Sequence, residues 1–216
     1  MKPTEQQISY QSTNTYATFG TFSETTKNVW IVFHGMGYLS RYFIKYFKGL
    51  DPATNYVIAP QAPSKYYQDK KFKYIGASWL TRENIELEKE NSLAYVQTLW
   101  EFEKTKWQNE NVNIIGLGYS QGASVLARWI AKHKIILNTV VLHSGAIPDE
   151  LTATDFEHLP KKTEVTYIYG DKDEYITEAR ETEQRIKAAS LFDNRLKVHV
   201  FQGNHEVNVP FINSLQ

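Results

Sequence analysis

A serine stands between two glycines in Gly118-Tyr119-Ser120-Gln121-Gly122, where an apolar run gives way to a helical pattern. A serine hydroxyl attacks a carbonyl carbon only if a base takes its proton, and that base needs an orienting carboxylate. Val112 to Leu117 reads as a strand from its crowded apolar and β-branched residues. A helix should follow Gln121, because Val125, Leu126, Trp129 and Ile130 recur at helical spacing. A turn tight enough to join them leaves no room beside its central residue, so Gly118 and Gly122 stand where a Cβ would clash. The pattern is that of a nucleophile elbow, which lifts a serine above the sheet edge. The plainer alternative is a glycine-flanked helix start with Ser120 as N-cap.

The partners of such a serine should follow later strands. Asp171 and Asp173 lie after "VTYIY", and His205 lies after "LKVHVF". Serine, then aspartate, then histidine is the chain order of α/β-hydrolases. The other five of the six histidines have simpler readings. His133 and His158 sit in charged or proline-adjacent stretches and read as surface residues. His199 lies inside a strand, where alternation sets its face. His143 follows "VVL" and could line a pocket, but it precedes the aspartates and is the runner-up. His34 opens "HGMG" and reads as a buttress of that loop, close enough to a ligand site to be a candidate contact. Asp171, directly after Gly170, could cap its own turn, which leaves Asp173 the freer carboxylate. Either could face the histidine. Acyl transfer also needs donors for the oxyanion. "FHGMG" offers the Met36 N–H from a glycine-flanked turn, and the residue after the nucleophile, Gln121, offers the other. An ordinary strand-exit turn is the alternative for "HGMG".

These residues need elements to hold them. Val29 to Phe33, Tyr56 to Ala59, Thr139 to Leu142, Val165 to Tyr169 and Leu196 to Phe201 read as further strands. Helical patterns run from about Asn84 to Trp107, from Thr177 to Ala189, and after Glu206. "TYATFGTF" could add an antiparallel edge strand. Alternating strands and helices predict an α/β fold, a mostly parallel sheet with helices on both faces. Ligands then bind beyond the carboxyl ends of the strands. The stretch Ser64 to Trp79 shows little period and carries Tyr66, Tyr67, Phe72, Tyr74 and Trp79 among lysines. Its rings either pack on the domain surface or form an aromatic wall over Ser120.

At 216 residues the chain fits one domain spanning 1–216, with no segment long enough for a separate cap. A formal net charge of zero gives no pointer to nucleic acid or an anionic surface. The absence of cysteine removes disulfides, thiolate metal sites and cysteine nucleophiles together. The start has no apolar core of the kind a secretory signal needs, and no stretch approaches a membrane span. A cytoplasmic protein that needs no metal or cofactor is the expectation. Oligomeric state is not legible.

"FHGMG", "APQAP", "GASW", "GYSQGAS", "GDKDEYI" and "GNHEV" occur in the order seen in the phospholipase/carboxylesterase family of α/β-hydrolases, which the chain resembles from about Val29 onward. That family includes acyl-protein thioesterases and small bacterial carboxylesterases. The resemblance implies Ser120 as nucleophile, Asp173 as acid, His205 as base, and the Met36 and Gln121 amides as oxyanion donors. It also puts a tryptophan at Trp79, which with Tyr74 is the expected substrate contact. Ala123 stands where the family often has a second glycine, Tyr169 where it usually has a histidine, and "DEYIT" where it often has Asp-Pro-x-Val-Pro. These departures bear on substrate preference. The function expected is hydrolysis of a small-molecule carboxylic ester, thioester or lysophospholipid. A ligand-binding protein with a vestigial triad is one alternative, and a peptidase or acyltransferase using the same triad is another.

Overall fold

The computed structural model describes residues 3–107 and 111–216. Residues 1, 2 and 108–110 of the expected 1–216 domain lie outside the described residues. In chain order the elements are β1 (Tyr16–Phe19), β2 (Asn28–Phe33), α1 (Ser40–Phe43), β3 (Asn55–Pro60), β4 (Ser64–Tyr67) and β5 (Ile75–Ser78). Then come α2 (Ile85–Lys104), β6 (Asn113–Tyr119), α3 (Gln121–His133), β7 (Thr139–His143), β8 (Glu164–Gly170), α4 (Glu178–Phe192), β9 (Leu196–Phe201) and α5 (Val209–Asn213).

Seven strands form one sheet in the order β1-β3-β2-β6-β7-β8-β9. All its pairings are parallel except that of β1, which runs antiparallel on the β3 edge. A parallel sheet needs both faces covered, so its strands read as unbroken apolar runs. β2 shows why. Val29, Ile31 and Phe33 point into one core, while Trp30 and Val32 point into the other. The first core is closed by Leu93, Val96 and Trp100 of α2, Val125 and Trp129 of α3, and Leu191 of α4. The second is closed by Phe43, the turn residue Phe47 and Ile212 of α5. The fold is the single-domain α/β architecture expected, with helices on both faces.

Two expectations need correction. The 64–79 stretch is no irregular loop: β4 and β5 pair as an antiparallel hairpin, with Tyr66 opposite Gly76. All four β4 residues are exposed, so no buried face imposes a two-residue apolar alternation on the sequence. The second concerns β6, which runs on to Tyr119, past the expected end at Leu117. That extension delivers Ser120 at the strand's very tip.

Candidate active site

The path from β6 into α3 is forced at Ser120, whose φ is 53° and ψ −120°. A positive φ is costly for a residue with a side chain and persists only where the surroundings hold it. Here the Ser120 N–H donates to the His143 carbonyl at 2.8 Å, and the Ala123 N–H donates to the Ser120 carbonyl at 3.0 Å. The flanking glycines allow the close crossing. A Cβ on Gly118 would lie 2.4 Å from the Gly122 carbonyl oxygen, and one on Gly122 would lie 2.2 Å from that of Phe33. Ser120 does occupy the N-cap position of α3, but its side chain makes no capping bond.

The hydroxyl points instead to a histidine. Ser120 Oγ lies 3.0 Å from His205 Nε2. On the other side of the ring, His205 Nδ1 lies 2.8 Å from Asp173 Oδ2. The Asp173 carboxylate is fully buried, and its second oxygen accepts the Tyr175 N–H at 2.9 Å. Because Nδ1 faces a carboxylate, it carries the proton, and Nε2 is left as an acceptor toward Ser120. His205 is held by the turn after β9: its carbonyl accepts the Tyr119 hydroxyl at 2.9 Å, and the Tyr119 and Tyr175 rings lie 5.2 and 4.7 Å from its ring. Asp171 does not face the histidine. Its Oδ1 accepts the Gly203 N–H at 2.9 Å, tying the loop after β8 to the loop that carries His205.

Two residues with free backbone amides line the same cleft. Met36 and Gln121 line a cleft of about 380 Å³ together with Ser120 and His205. Gln121 is the first residue of α3, and the first N–H groups of a helix have no intrahelical acceptor. Among the described residues, the Met36 N–H makes no hydrogen bond. The Gln121 side chain bonds to the backbone after the β4–β5 hairpin. Its Oε1 accepts the Trp79 N–H at 2.8 Å, and its Nε2 donates to the Leu80 carbonyl at 2.7 Å. It pins the segment after the β4–β5 hairpin to the elbow. Among the described residues, no cluster of three or more histidine, aspartate or glutamate side chains is placed to hold a metal ion.

The expected ligand contacts fall elsewhere. Trp79 is fully buried; its ring packs 5.7 Å from Phe33 and 5.3 Å from His34, and its Nε1 donates to the His34 carbonyl at 2.9 Å. Trp79 is not among the residues that line the cleft, and its bond to the His34 carbonyl braces the turn that leads to Met36. His34 is also fully buried. Its Nδ1 donates to the Gly35 carbonyl at 2.8 Å and its Nε2 accepts the Ala62 N–H at 3.1 Å, so it is a buttress and not a ligand contact. Tyr74 is exposed on the hairpin and is not part of the cleft wall. The runner-up His143 lies under the site, its Nε2 accepting the Asn208 N–H at 2.9 Å. Residues that sequence pattern did not single out line the cleft instead, among them Tyr167, Tyr175, Ile176 and Arg180. Tyr175 and Ile176 lie within the "GDKDEYI" motif, where they could have been noticed. Tyr167 sits in mid-strand, and nothing in its spacing marks it.

Burial of His34 and His143 has a consequence for stability. Burial holds the His34 ring neutral down to about 4, and burial, with His205 and His199 nearby, holds His143 neutral down to about 3. An unfolded chain protonates both near the ordinary histidine value of about 6.5. Below that pH the unfolded form binds more protons, so stability falls as the pH drops toward about 4. Each histidine contributes roughly 1.4 kcal/mol per pH unit in that window. Urea unfolding at pH 5 should therefore give a stability about 3–4 kcal/mol below that at pH 7. Equal midpoints at the two pH values would show that neither ring is held neutral.

A parallel sheet whose elbow serine meets a histidine and an aspartate from two later strand ends defines an α/β-hydrolase. The chain belongs to the phospholipase/carboxylesterase family, whose model matches residues 20–216. It is thus a hydrolase of the carboxylesterase/phospholipase type. The fold is shared with solved structures at low sequence identity. Acyl-protein thioesterase 2 of Zea mays is 14% identical, with 94% of this chain and 96% of that one covered at a TM-score of 0.67. A phospholipase/carboxylesterase of Dyadobacter fermentans is 17% identical, covering 95% and 97% at 0.66. The Bacillus cereus carboxylesterase is 16% identical, covering 94% and 91% at 0.64. No curated protein matches in the sequence comparison. No helix among the described residues is long and apolar enough to cross a membrane.

Proposed function

We propose that this chain is a serine esterase acting on a small-molecule carboxylic ester, without a cofactor and in the cytoplasm. The observation that carries the reading is the unbroken line from Ser120 Oγ through the His205 ring to Asp173 Oδ2, at 3.0 and 2.8 Å. In this reading His205 Nε2 takes the Ser120 proton as Oγ attacks the ester carbonyl carbon. The resulting oxyanion accepts from the Met36 and Gln121 amides. Collapse breaks the ester bond, the leaving alcohol takes the proton from His205, and the acyl group stays on Ser120. Water, deprotonated by His205, then attacks the acyl-enzyme, and the acid leaves as Oγ recovers its proton. Asp173 keeps Nδ1 protonated throughout and stabilises the charged ring. The same steps serve a thioester or a lysophospholipid, with a thiol or a lysolipid alcohol as the leaving group.

A binding protein with an idle triad would have no need of a strained serine backed by a correctly oriented base. Fluorophosphonate labelling separates the two readings. One covalent adduct is expected, mapping to the peptide that contains Ser120, and labelling should abolish turnover of p-nitrophenyl esters. An unlabelled Ser120 in folded protein would favour the binding role. A panel of such esters of increasing chain length, with an amide and an acyl acceptor alongside, distinguishes esterase from peptidase and acyltransferase.

A further inference from the structure

The cleft beside Ser120 has an uneven distribution of charge and of unmet hydrogen bonds. Of the residues that line it, Arg180 alone carries a fixed charge. Among the described residues Arg180 forms no ion pair; one guanidinium N–H reaches the Tyr175 carbonyl at 3.4 Å, and its other donors are unused. The opposing feature is Tyr167 on β8. Its side chain is fully buried, it lines the same cleft, and its hydroxyl has no hydrogen-bond partner. A buried donor left unpaired is costly, so such a group in a cleft wall is suited to a ligand oxygen.

The charges on the two sides of Arg180 differ. Beyond it the cleft opens into a recess of about 640 Å³, which shares Ser124, Ala146 and Arg180 with it. That recess holds Asp149, Glu150 and Glu183 as well as Arg128. Glu150 is neutralised by Arg128 at 2.7 Å and by Lys89 at 3.3 Å, whereas Asp149 and Glu183 form no ion pair among the described residues. An anion is therefore disfavoured in the recess and favoured in the cleft.

We propose that this cleft recognises an ester carrying an anionic group, a carboxylate or a phosphate, seated between the Arg180 guanidinium and the Tyr167 hydroxyl. The guanidinium only donates and the hydroxyl can donate as well as accept, so both can donate to an acceptor-only anion. The inference rests on the serine-esterase reading for its chemistry but not for its binding.

The test has a binding arm and a kinetic arm, both on the full chain. Calorimetric titration with glutarate and with inorganic phosphate reads the anion subsite without any reaction. At least one of them should bind, and Arg180→Gln should weaken that binding about 10- to 100-fold. Tyr167→Phe should weaken it about 3- to 10-fold while leaving the melting temperature no lower, since the hydroxyl removed has no partner to lose. The kinetic arm compares kcat/KM for monomethyl glutarate with methyl pentanoate, and for acetoxyethyl phosphate with propyl acetate. The anion that binds should mark the charged ester preferred, by about tenfold or more, and Arg180→Gln should bring that ratio toward one. Anion binding that is absent or indifferent to Arg180→Gln overturns the proposal, whatever esters are cleaved. Binding that depends on Arg180 in a protein that cleaves no ester would uphold the subsite and sink the esterase reading instead.

Discussion

Ser120→Ala is expected to lower kcat on a p-nitrophenyl ester by roughly 10⁴- to 10⁶-fold, with the fold retained. The size of the effect follows from the steps assigned to Oγ. Among the described residues it is the hydroxyl bonded to the acceptor nitrogen of His205, at 3.0 Å, in the cleft that Met36 and Gln121 line, so no neighbour is placed to form the acyl-enzyme instead. The fold should survive because Ser120 contributes no side-chain capping bond to α3. Its backbone bonds to His143 and from Ala123 do not involve the hydroxyl. Alanine at a φ of 53° is strained much as serine is, which makes it a fair comparison. The measurement is steady-state turnover of both proteins, with circular dichroism to check folding. A folded variant that retains more than about one hundredth of the wild-type kcat would end the nucleophile assignment.

Asp173→Asn should cost roughly 10⁴-fold in kcat, and Asp171→Asn less than about tenfold. The two substitutions are the same chemical change two residues apart, so the contrast isolates position. Both oxygens of Asp173 receive donors, the Tyr175 N–H at 2.9 Å and His205 Nδ1 at 2.8 Å. An asparagine has one oxygen and one NH₂, so it can serve only one of these donors. If the oxygen stays with Tyr175, the NH₂ faces Nδ1, which must then become an acceptor. The proton moves to Nε2, and the ring can no longer take one from Ser120. Asp171 uses one oxygen to accept from Gly203, an acceptor that asparagine still provides. Turnover of the two variants on one soluble ester gives the ranking. The reverse order would mean that the loop after β8 presents the other carboxylate to His205 during turnover.

Residue pattern was enough to establish the architecture and the candidate reacting groups. Apolar runs buried on both faces must be strands of a covered parallel sheet, and the covering helices show their three-to-four-residue spacing because only one face of each is buried. Ser120, His205, the pair Asp171 and Asp173, and the turns of Met36 and Gln121 were legible as candidates, since each sits at a strand end or glycine-marked turn, and the order serine, aspartate, histidine suggested the roles of the first three. The choice between Asp171 and Asp173 did not follow from the residues alone and came from family resemblance.

What stands around those groups depends on how the strands and helices pack in three dimensions. Trp79 was an expected ligand contact because it ends an aromatic-rich stretch at a position where the resembling family also has a tryptophan, and His34 because it opens the "HGMG" turn. Whether a ring presents a face to a cleft or is packed on both sides depends on which strands become neighbours, and local pattern carries no record of that. Tyr167 illustrates the converse. In mid-strand it reads as core, and it does lie in the core. Its hydroxyl becomes significant only because β8 passes beneath the cleft while α4 brings Arg180 to the rim. The hairpin of β4 and β5 escaped notice for a related reason. Every residue of β4 is exposed, so that strand carries no apolar alternation to read.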